Sequence, residues 1–285
     1  MVFNILKKST KYSLFSYIVS MQKFMKKILL VPQIIGRNFL SFFDSIGYIV
    51  VFFFLCLKSC VTPNFYPQIF FGQLIKIGYN SIPVVGLTTI FTGMVLALQS
   101  YTGFSRFSAE SAIPNVVVLS ITRELSPVLA GLMVAGRSGA AIAAEIGTMK
   151  VTEQIDALKT LSTNPLNYLV APRILAGVIS LPLLVFLGDI IGVFGGYLIC
   201  VYVLNFNSEV YLVNIYNFVE FLDVFSGLVK AAVFGLTISF MSCYHGFHAR
   251  GGAQGVGLAT TYSVVSSSIL ILILNYIITS LFFQI

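Results

Sequence analysis

The sequence predicts an all-α, polytopic membrane protein with about five transmembrane helices, preceded by interfacial helices at the N-terminus. Of its 285 residues, 57% are hydrophobic and only 9% are charged, and the mean hydropathy is +0.93. A soluble domain with so few charges could not cover its surface. Several uncharged stretches also reach the ~20 residues that a helix needs to cross a bilayer. The composition therefore excludes an ordinary soluble protein.

Residues 1–72 form a basic region that we expect to lie on an anionic membrane surface. Nine of the seventeen Lys and Arg residues lie at or before Lys76, and Asp44 is the only acid in that part of the sequence. Lysines mixed with Phe, Leu, Ile and Tyr are typical of interfacial helices. The apolar run at 47–57 is too short to span and is interpreted as re-entrant or interfacial. The net charge of +7 thus indicates a membrane surface and not nucleic acid.

Residues 73–285 are predicted to form the membrane domain. Its five spans are predicted at residues 77–105, 111–136, 174–204, 224–244 and 258–283. The N-terminus, the 137–173 loop and the turn at Arg250 are basic, whereas the loops near Arg106 and Glu209 are neutral or acidic. Basic loops tend to stay in the cytoplasm. We therefore expect a cytoplasmic N-terminus and a C-terminus on the opposite side.

Small residues recur every four positions in two regions of the chain. This spacing removes side-chain bulk from one helix face, which lets two helix backbones approach closely in a membrane. The glycines that we expect at such contacts are Gly139, Gly147, Gly188, Gly192 and Gly196.

An amphipathic helix is predicted near residues 145–160, within the basic internal loop. Val151, Ile155 and Leu158 recur at helical spacing, and polar and charged residues occupy the opposite face: Thr152, Glu153, Asp156 and Lys159. Such a helix is typical of a docking element for a soluble partner, although an interfacial helix that ties two spans together is an alternative. The predicted partner-binding residues are Glu145, Val151, Glu153, Ile155, Asp156 and Leu158.

Four ionisable residues interrupt the predicted spans: Arg123, Glu124, Asp189 and Lys230. Charges inside a bilayer pair with one another or line a cavity. A structural ion pair could join Arg123 to Glu124, or Glu124 to Lys230. A role in substrate passage is the other interpretation, and the two are compatible.

The sequence contains no recognisable catalytic or metal-binding motif. It lacks the Gly-x-x-x-x-Gly-Lys-Ser/Thr loop of ATP-binding proteins and the His-Glu-x-x-His and Gly-x-Ser-x-Gly motifs of hydrolases. His245 and His248 are three residues apart, but no third ligand lies near them in sequence. We therefore predict neither an enzyme nor a metal or cofactor site in this chain.

Several long stretches carry a family resemblance. The longest begins at Arg123 and reads RELSPVLAGLMVAGRSGAAIAAEIGTMKVTEQIDALKTLSTNPLNYLVAPR. The others read GMVLALQSYTGFSRFSAES, GVISLPLLVFLGDIIGVFGGYL, SGLVKAAVFG and GLATTYSVVSSSILILILNYIITSLFF. Together they resemble the MlaE permease family, the membrane subunits of MCE-type ABC lipid transporters, and are most like its alphaproteobacterial members. The resemblance covers the chain from about residue 73 to the C-terminus.

The resemblance implies a set of partners. They are a second copy of the permease in a homodimer, a cytoplasmic ATPase subunit that binds the ATP, an MCE-domain substrate-binding protein on the outer side and, in many members, a STAS-domain protein. It implies phospholipid as the substrate, moved between the inner and outer membranes. The implied location is the cell inner membrane, with a plastid envelope as the alternative because related permeases occur in plastids.

The resemblance also implies roles for individual residues. The segment near 145–159 corresponds to the family's coupling helix against the ATPase. Arg123, Glu124 and Lys230 fall on the family's buried polar positions, and Gln99 and Tyr101 fall near its lipid cavity.

Asn275 departs from the family pattern, because some relatives have Asp at this place near the buried Lys. Lys230 can pair with Glu124 in its place, so the pattern does not predict a three-residue charge network. Two rival functions remain open from the residues themselves. One is an ion or proton pathway through Arg123, Glu124 and Lys230; the other is a scaffold that recruits a soluble partner through the amphipathic helix.

Overall fold

The computed structural model describes residues 40, 43–44, 46–60 and 66–283. The chain divides into two compact units, Met1–Phe52 and Phe53–Ile285. The elements of the described residues are helical, with no strand among them, which confirms the all-α prediction. The interfacial helices predicted before residue 40 lie outside these residues. The apolar run at 47–57 lies in helix α1, Ile46–Cys60, which is shorter than a membrane span.

Five helical stretches of the described chain are long and apolar enough to cross a membrane, which confirms the predicted number. They are Pro67–Phe107, Glu110–Val151, Leu166–Val203, Phe221–Phe247 and Gly252–Phe283. Each is longer than predicted, because the helices continue through polar residues at their ends. At some of these ends a charged residue pairs with a neighbouring helix, as Lys76 of the first stretch and Glu145 of the second do.

The first stretch consists of α2, Pro67–Ile77, and α3, Ile82–Phe104, with a short 3-10 turn between them. Pro83 lies in the first turn of α3, where its missing N–H costs no hydrogen bond. The boundary predicted between residues 72 and 73 falls within α2.

The second stretch is one long helix with two wide turns. Its α-helical parts are α4, Ile113–Ser120, α5, Ser126–Val134, and α6, Ala140–Val151. They are joined by π-helical turns at Ile121–Leu125 and Ala135–Gly139. Each wide turn rotates the following helix face, and such turns recur at functional positions.

The predicted amphipathic helix is shorter than expected. The chain leaves α6 after Val151, and Glu153 takes a left-handed conformation with φ 61°. Helix α7, Gln154–Thr160, begins directly after it. The prediction of one helix from about 145 to 159 is therefore wrong in extent, and Glu145 belongs to the membrane stretch.

The remaining helices are α8, Ala171–Leu198, α9, Ser208–Phe218, α10, Phe221–Phe247, and α11, Gly252–Phe283. Helix α9 was not predicted, because the sequence there was interpreted as a loop. Asn207 caps the N-terminus of α9, because its side chain accepts hydrogen bonds from the Glu209 and Val210 amides at 2.9 and 3.5 Å.

Helix α8 packs against α2, α3 and α10, and α10 packs in turn against α6 and α11. Glycines make the closest crossings. A Cβ on Gly93 of α3 would collide with the Gly192 carbonyl of α8, and a Cβ on Gly235 of α10 would collide with the Gly177 carbonyl of α8. Backbones therefore touch at these points. The other predicted contact glycines, Gly139, Gly147, Gly188 and Gly196, face side chains of a neighbouring helix within 2.8–3.4 Å of an added Cβ.

Candidate functional site

Charged residues of the second and fourth stretches form one cluster, which we call the Glu124 cluster; Asp223 and Lys230 are buried in it, and Arg123 and Glu124 are half-buried. It contains Arg123, Glu124, Asp223, Lys230, Asn275 and Thr279. The first π-helical turn supplies two of these residues, α10 supplies two and α11 supplies two.

Glu124 accepts hydrogen bonds from both α10 and α11. Its Oε1 lies 2.8 Å from Lys230 Nζ, and its Oε2 accepts from Asn275 Nδ2 at 2.8 Å. The Thr279 hydroxyl lies 3.0 Å from Oε1. Lys230 is fully buried, so its charge requires these partners. Of the two predicted ion pairs, the one between Glu124 and Lys230 is confirmed.

The backbone carbonyl of Arg123 is a further partner of Lys230, and Pro127 leaves it available. Pro127 has no N–H and so cannot donate to the Arg123 carbonyl four residues earlier. Lys230 Nζ donates to that carbonyl at 2.8 Å. The irregular backbone of the second stretch thus stabilises the buried ammonium group.

Arg123 pairs with Asp223 and not with Glu124, so the alternative pairing is wrong. Arg123 Nε lies 2.8 Å from Asp223 Oδ1, and the guanidinium carbon lies 4.1 Å from the centre of the Phe283 ring. Asp223 is 1% exposed and also accepts from the Glu220 amide at 3.1 Å, which caps α10. An acid three residues after Glu220 and before an apolar run is the sequence signal that could have predicted this cap.

The two residues predicted near a lipid cavity lie on different faces of α3. Gln99 is exposed and lines a cavity of about 380 Å³ together with Leu96 and Leu125. Tyr101 packs its ring edge against Phe206, with ring centres 6.2 Å apart. The structure therefore brings Gln99 next to the turn that carries Glu124, whereas Tyr101 faces Phe206 and does not line this cavity.

A second set of charges links three stretches at the α7 end of the bundle. Glu145 lies 2.7 Å from Lys76 Nζ and 2.9 Å from an Arg173 nitrogen. Arg137 donates to the Lys76 carbonyl at 2.6 Å and to the Ser81 hydroxyl at 2.9 Å. Glu145 thus ties α6 to α2 and α8 within the chain.

Helix α7 presents a mixed surface. Ile155 is 1% exposed and anchors the helix, whereas Glu153 is exposed and Val151 and Leu158 are half-buried. Asp156 accepts from Lys159 at 2.8 Å and from Lys150 at 3.0 Å. These hydrogen bonds hold the pKa of the Asp156 carboxyl below its ordinary value.

The two histidines lie apart from any cluster of metal ligands. His245 Nε2 lies 3.0 Å from the Ser266 hydroxyl, and His248 Nδ1 lies 2.8 Å from the Tyr244 carbonyl. Within the described ranges, no three potential ligands of the His, Cys, Asp and Glu types come together.

A sequence model described as permease MlaE matches residues 70–281. The chain belongs to the MlaE permease family. A probable ABC transporter permease protein of Rickettsia typhi is 57% identical over 258 residues, which cover 90% of this chain and 100% of that protein. The intermembrane phospholipid transport system permease protein MlaE of Haemophilus influenzae is 35% identical over 252 residues, or 87% of this chain and 96% of that protein.

One relative of this MlaE permease is a chloroplast protein. The chloroplastic protein TRIGALACTOSYLDIACYLGLYCEROL 1 of Arabidopsis thaliana is 38% identical over 212 residues. The match covers 74% of this chain and 61% of that protein. This MlaE permease therefore has relatives in both bacteria and a plastid, and it is itself a multi-span membrane protein.

Proposed function

We propose that this MlaE permease is the membrane subunit of an ABC transporter that moves phospholipid between membranes. The observation that carries the proposal is the near full-length match to the Haemophilus protein, which is named for intermembrane phospholipid transport. The five apolar stretches and the cluster of paired charges between them support a membrane transport subunit. ATP is bound and hydrolysed by a separate partner chain.

The ATPase contact is proposed at α7. Exposed Glu153, directly before the helix, and half-buried Leu158 within it offer a charged and apolar surface, and Ile155 fixes the helix to the bundle. The second stretch leads from the break at Glu153 through α6 and α5 to the Glu124 cluster, so a displacement of α7 is passed on through that break and along this stretch.

The lipid route is proposed along the face of Gln99 and Leu125, next to Glu124. The exposed apolar side chains of α3, among them Phe91 and Val95, suit acyl chains, and the Gln99 amide suits a polar headgroup. A second copy of the chain closes this face in a homodimer. An MCE-domain protein takes up the lipid on the outer side. A STAS-domain protein regulates the ATPase. Tyr101 supports the end of α3.

The proposed location is the cell inner membrane, with a plastid envelope as the alternative. The high identity to the Rickettsia typhi permease over 90% of the chain favours the bacterial membrane. An ion or proton pathway has less support, because the charged members of the Glu124 cluster are paired with one another.

Purification of the full-length chain in mild detergent from its own membranes tests the assembly. We expect a dimer that carries an ATP-hydrolysing subunit, and we expect Glu153→Lys with Ile155→Asp to release that subunit. The matched control is Glu209→Lys, the same charge reversal at an exposed position of α9, which retains it. A strictly monomeric chain with no ATPase subunit contradicts the proposal.

Reconstitution tests the substrate. The purified assembly in vesicles is expected to transfer a fluorescent phospholipid to acceptor vesicles only when ATP is hydrolysed. Transfer that proceeds equally with a non-hydrolysable nucleotide argues against an ATP-driven lipid transporter.

A further inference from the structure

A second apolar cavity lies between α8 and α9, and its volume is about 630 Å³. Phe186, Ile190 and Phe194 of α8 form one wall, and Leu212 and Ile215 of α9 form the other. Binding sites for small ligands have volumes of roughly 300–1,000 Å³. The cavity therefore has room for a single small amphiphile, and none of its lining residues belongs to the Glu124 cluster.

Asp189 lies in the wall of this apolar cavity. It is 6% exposed, and neither of its carboxyl oxygens has a hydrogen-bond partner among the described residues. The neighbouring Ser126 hydroxyl donates to the Val185 carbonyl at 3.3 Å. Even if Ser126 turned towards Asp189, one oxygen would remain unpaired. Buried polar groups are normally hydrogen-bonded, and burying one without a partner costs free energy.

The ring of Tyr211 also lines this cavity. The Tyr211 hydroxyl is buried and lacks a hydrogen-bond partner in the described part of the chain, with the thiol of Cys200, a weak hydrogen-bonding group, beside it. It lies next to Gly196, seven residues and therefore about 10 Å along α8 from Asp189. By contrast, the nearby Tyr197 hydroxyl pairs with Ser208 at 2.8 Å. The Tyr211 hydroxyl therefore lies beside Gly196 and Cys200, which do not line the cavity, and the unpaired Asp189 carboxyl is the polar group on which a ligand of this cavity would depend.

We propose that this cavity binds a single-chain lipid whose polar group donates a hydrogen bond to Asp189. A hydroxyl or an amino group meets that requirement, and the acyl chain lies against the aromatic and aliphatic wall. The bound lipid would satisfy the buried carboxyl, which a hydrocarbon chain cannot do. The site lies outside the proposed transport route, and the inference does not rest on the proposed function.

The absence of Trp from the sequence makes a clean reporter experiment available. Phe194→Trp places one fluorophore at the cavity, and Leu272→Trp places one at a lipid-facing position of α11 with similar exposure, 52% and 56%. Each full-length variant is reconstituted in nanodiscs of saturated phosphatidylcholine. The probes are a brominated long-chain alcohol, a brominated long-chain amine and a brominated alkane, because bromine quenches nearby Trp.

We expect the alcohol or the amine to quench Phe194→Trp at a mole fraction about tenfold lower than Leu272→Trp, the change expected for one hydrogen bond to a buried polar group. The alkane is expected to quench both reporters equally. Asp189→Leu in the Phe194→Trp background should remove the preference. Asp189→Asn, which retains the shape and an acceptor oxygen, should keep the alcohol preference and lose the amine preference if the ligand is an amine.

Two results overturn the proposal. One is equal quenching of both reporters by all three probes in the unaltered and the Asp189→Asn backgrounds. The other is a Phe194→Trp reporter that is shielded from every probe in the assembled complex, which would assign the cavity to a membrane helix of a partner chain.

Discussion

Asn275 Nδ2 donates to Glu124 Oε2 at 2.8 Å, across 151 residues of sequence. An amide at this position supplies a hydrogen bond to the carboxylate without adding a charge. The Glu124 cluster consequently contains two acids and two bases, and each charge has a partner of opposite sign.

Asn275→Asp is expected to destabilise the protein, because it replaces a donor with a second carboxylate against Glu124. A hydrogen bond to a charged group contributes about 1.5–3 kcal/mol, and the 38% exposure of the Glu124 side chain places the loss towards the lower end. Like charges add to the cost. Thermal unfolding in detergent measures the effect. Asn217→Asp makes the same chemical change at an exposed position of α9 and should leave the unfolding temperature unchanged. Equal unfolding temperatures for Asn275→Asp and the unaltered protein would contradict this account of the cluster.

Lys230→Met should be more damaging alone than together with Glu124→Gln. Removing one partner of a fully buried ion pair costs about 3–5 kcal/mol; Lys230→Met leaves the Glu124 carboxylate unpaired, and because that side chain is 38% exposed we expect a smaller cost. The double variant has no unpaired charge, so much of the lost stability should return. A double-mutant cycle of unfolding free energies measures this coupling, and additive effects of the two substitutions would show that the pair is not coupled.

Asp223→Asn is expected to weaken both the Arg123 ion pair and the cap of α10. Glu220→Gln alters the cap alone, because the ion pair of Arg123 within the described residues is with Asp223 and not with Glu220. We therefore expect a larger loss of unfolding temperature for Asp223→Asn than for Glu220→Gln. If both variants lose the same amount, the cap explains the role of Asp223 and the ion pair contributes little.

Gly235→Ala is expected to destabilise the crossing of α10 and α8, since its Cβ would collide with the Gly177 carbonyl. A backbone atom cannot move aside as a flexible side chain can. Gly257→Ala in α11 is the matched control, because an added Cβ meets no atom within 4 Å there. The control should be neutral or stabilising by about 0.5–1 kcal/mol, given the higher helix propensity of Ala. The unfolding temperature should fall for Gly235→Ala, whereas for Gly257→Ala it should stay the same or rise.

Helix α7 should retain its ion pairs in mildly acidic solution. The pKa of Asp156 is lowered by its hydrogen bonds to Lys159 and Lys150, so its stabilising effect is full above the ordinary pKa and is lost as the pH falls through the lowered one. Hydrogen exchange of the 150–160 amides, compared with Asp156→Asn at each pH, measures this effect. The difference between the two proteins should vanish only in strong acid; a difference that disappears near pH 5 would contradict the assignment.

The sequence carried enough information for the number of spans, but it offered Glu124 two partners and did not decide between Arg123 and Lys230. Long uncharged runs identify spans by themselves, and two opposite charges inside such runs have few other partners. Asp223 was missed because it lies at a helix start, where an acid in a polar segment is read as a loop residue. Helix α9 was missed for the same reason, and the break at Glu153 depends on a left-handed backbone conformation that the amphipathic pattern does not encode.

The balance of charge in the Glu124 cluster has an electrical consequence. A membrane potential does work of about 2.3 kcal/mol per 100 mV on each elementary charge that crosses it. Arg123 and Lys230 together offset Glu124 and Asp223, so displacing the four as one body across the field involves no net work. A change in the membrane potential should therefore leave the arrangement of these helices unaltered.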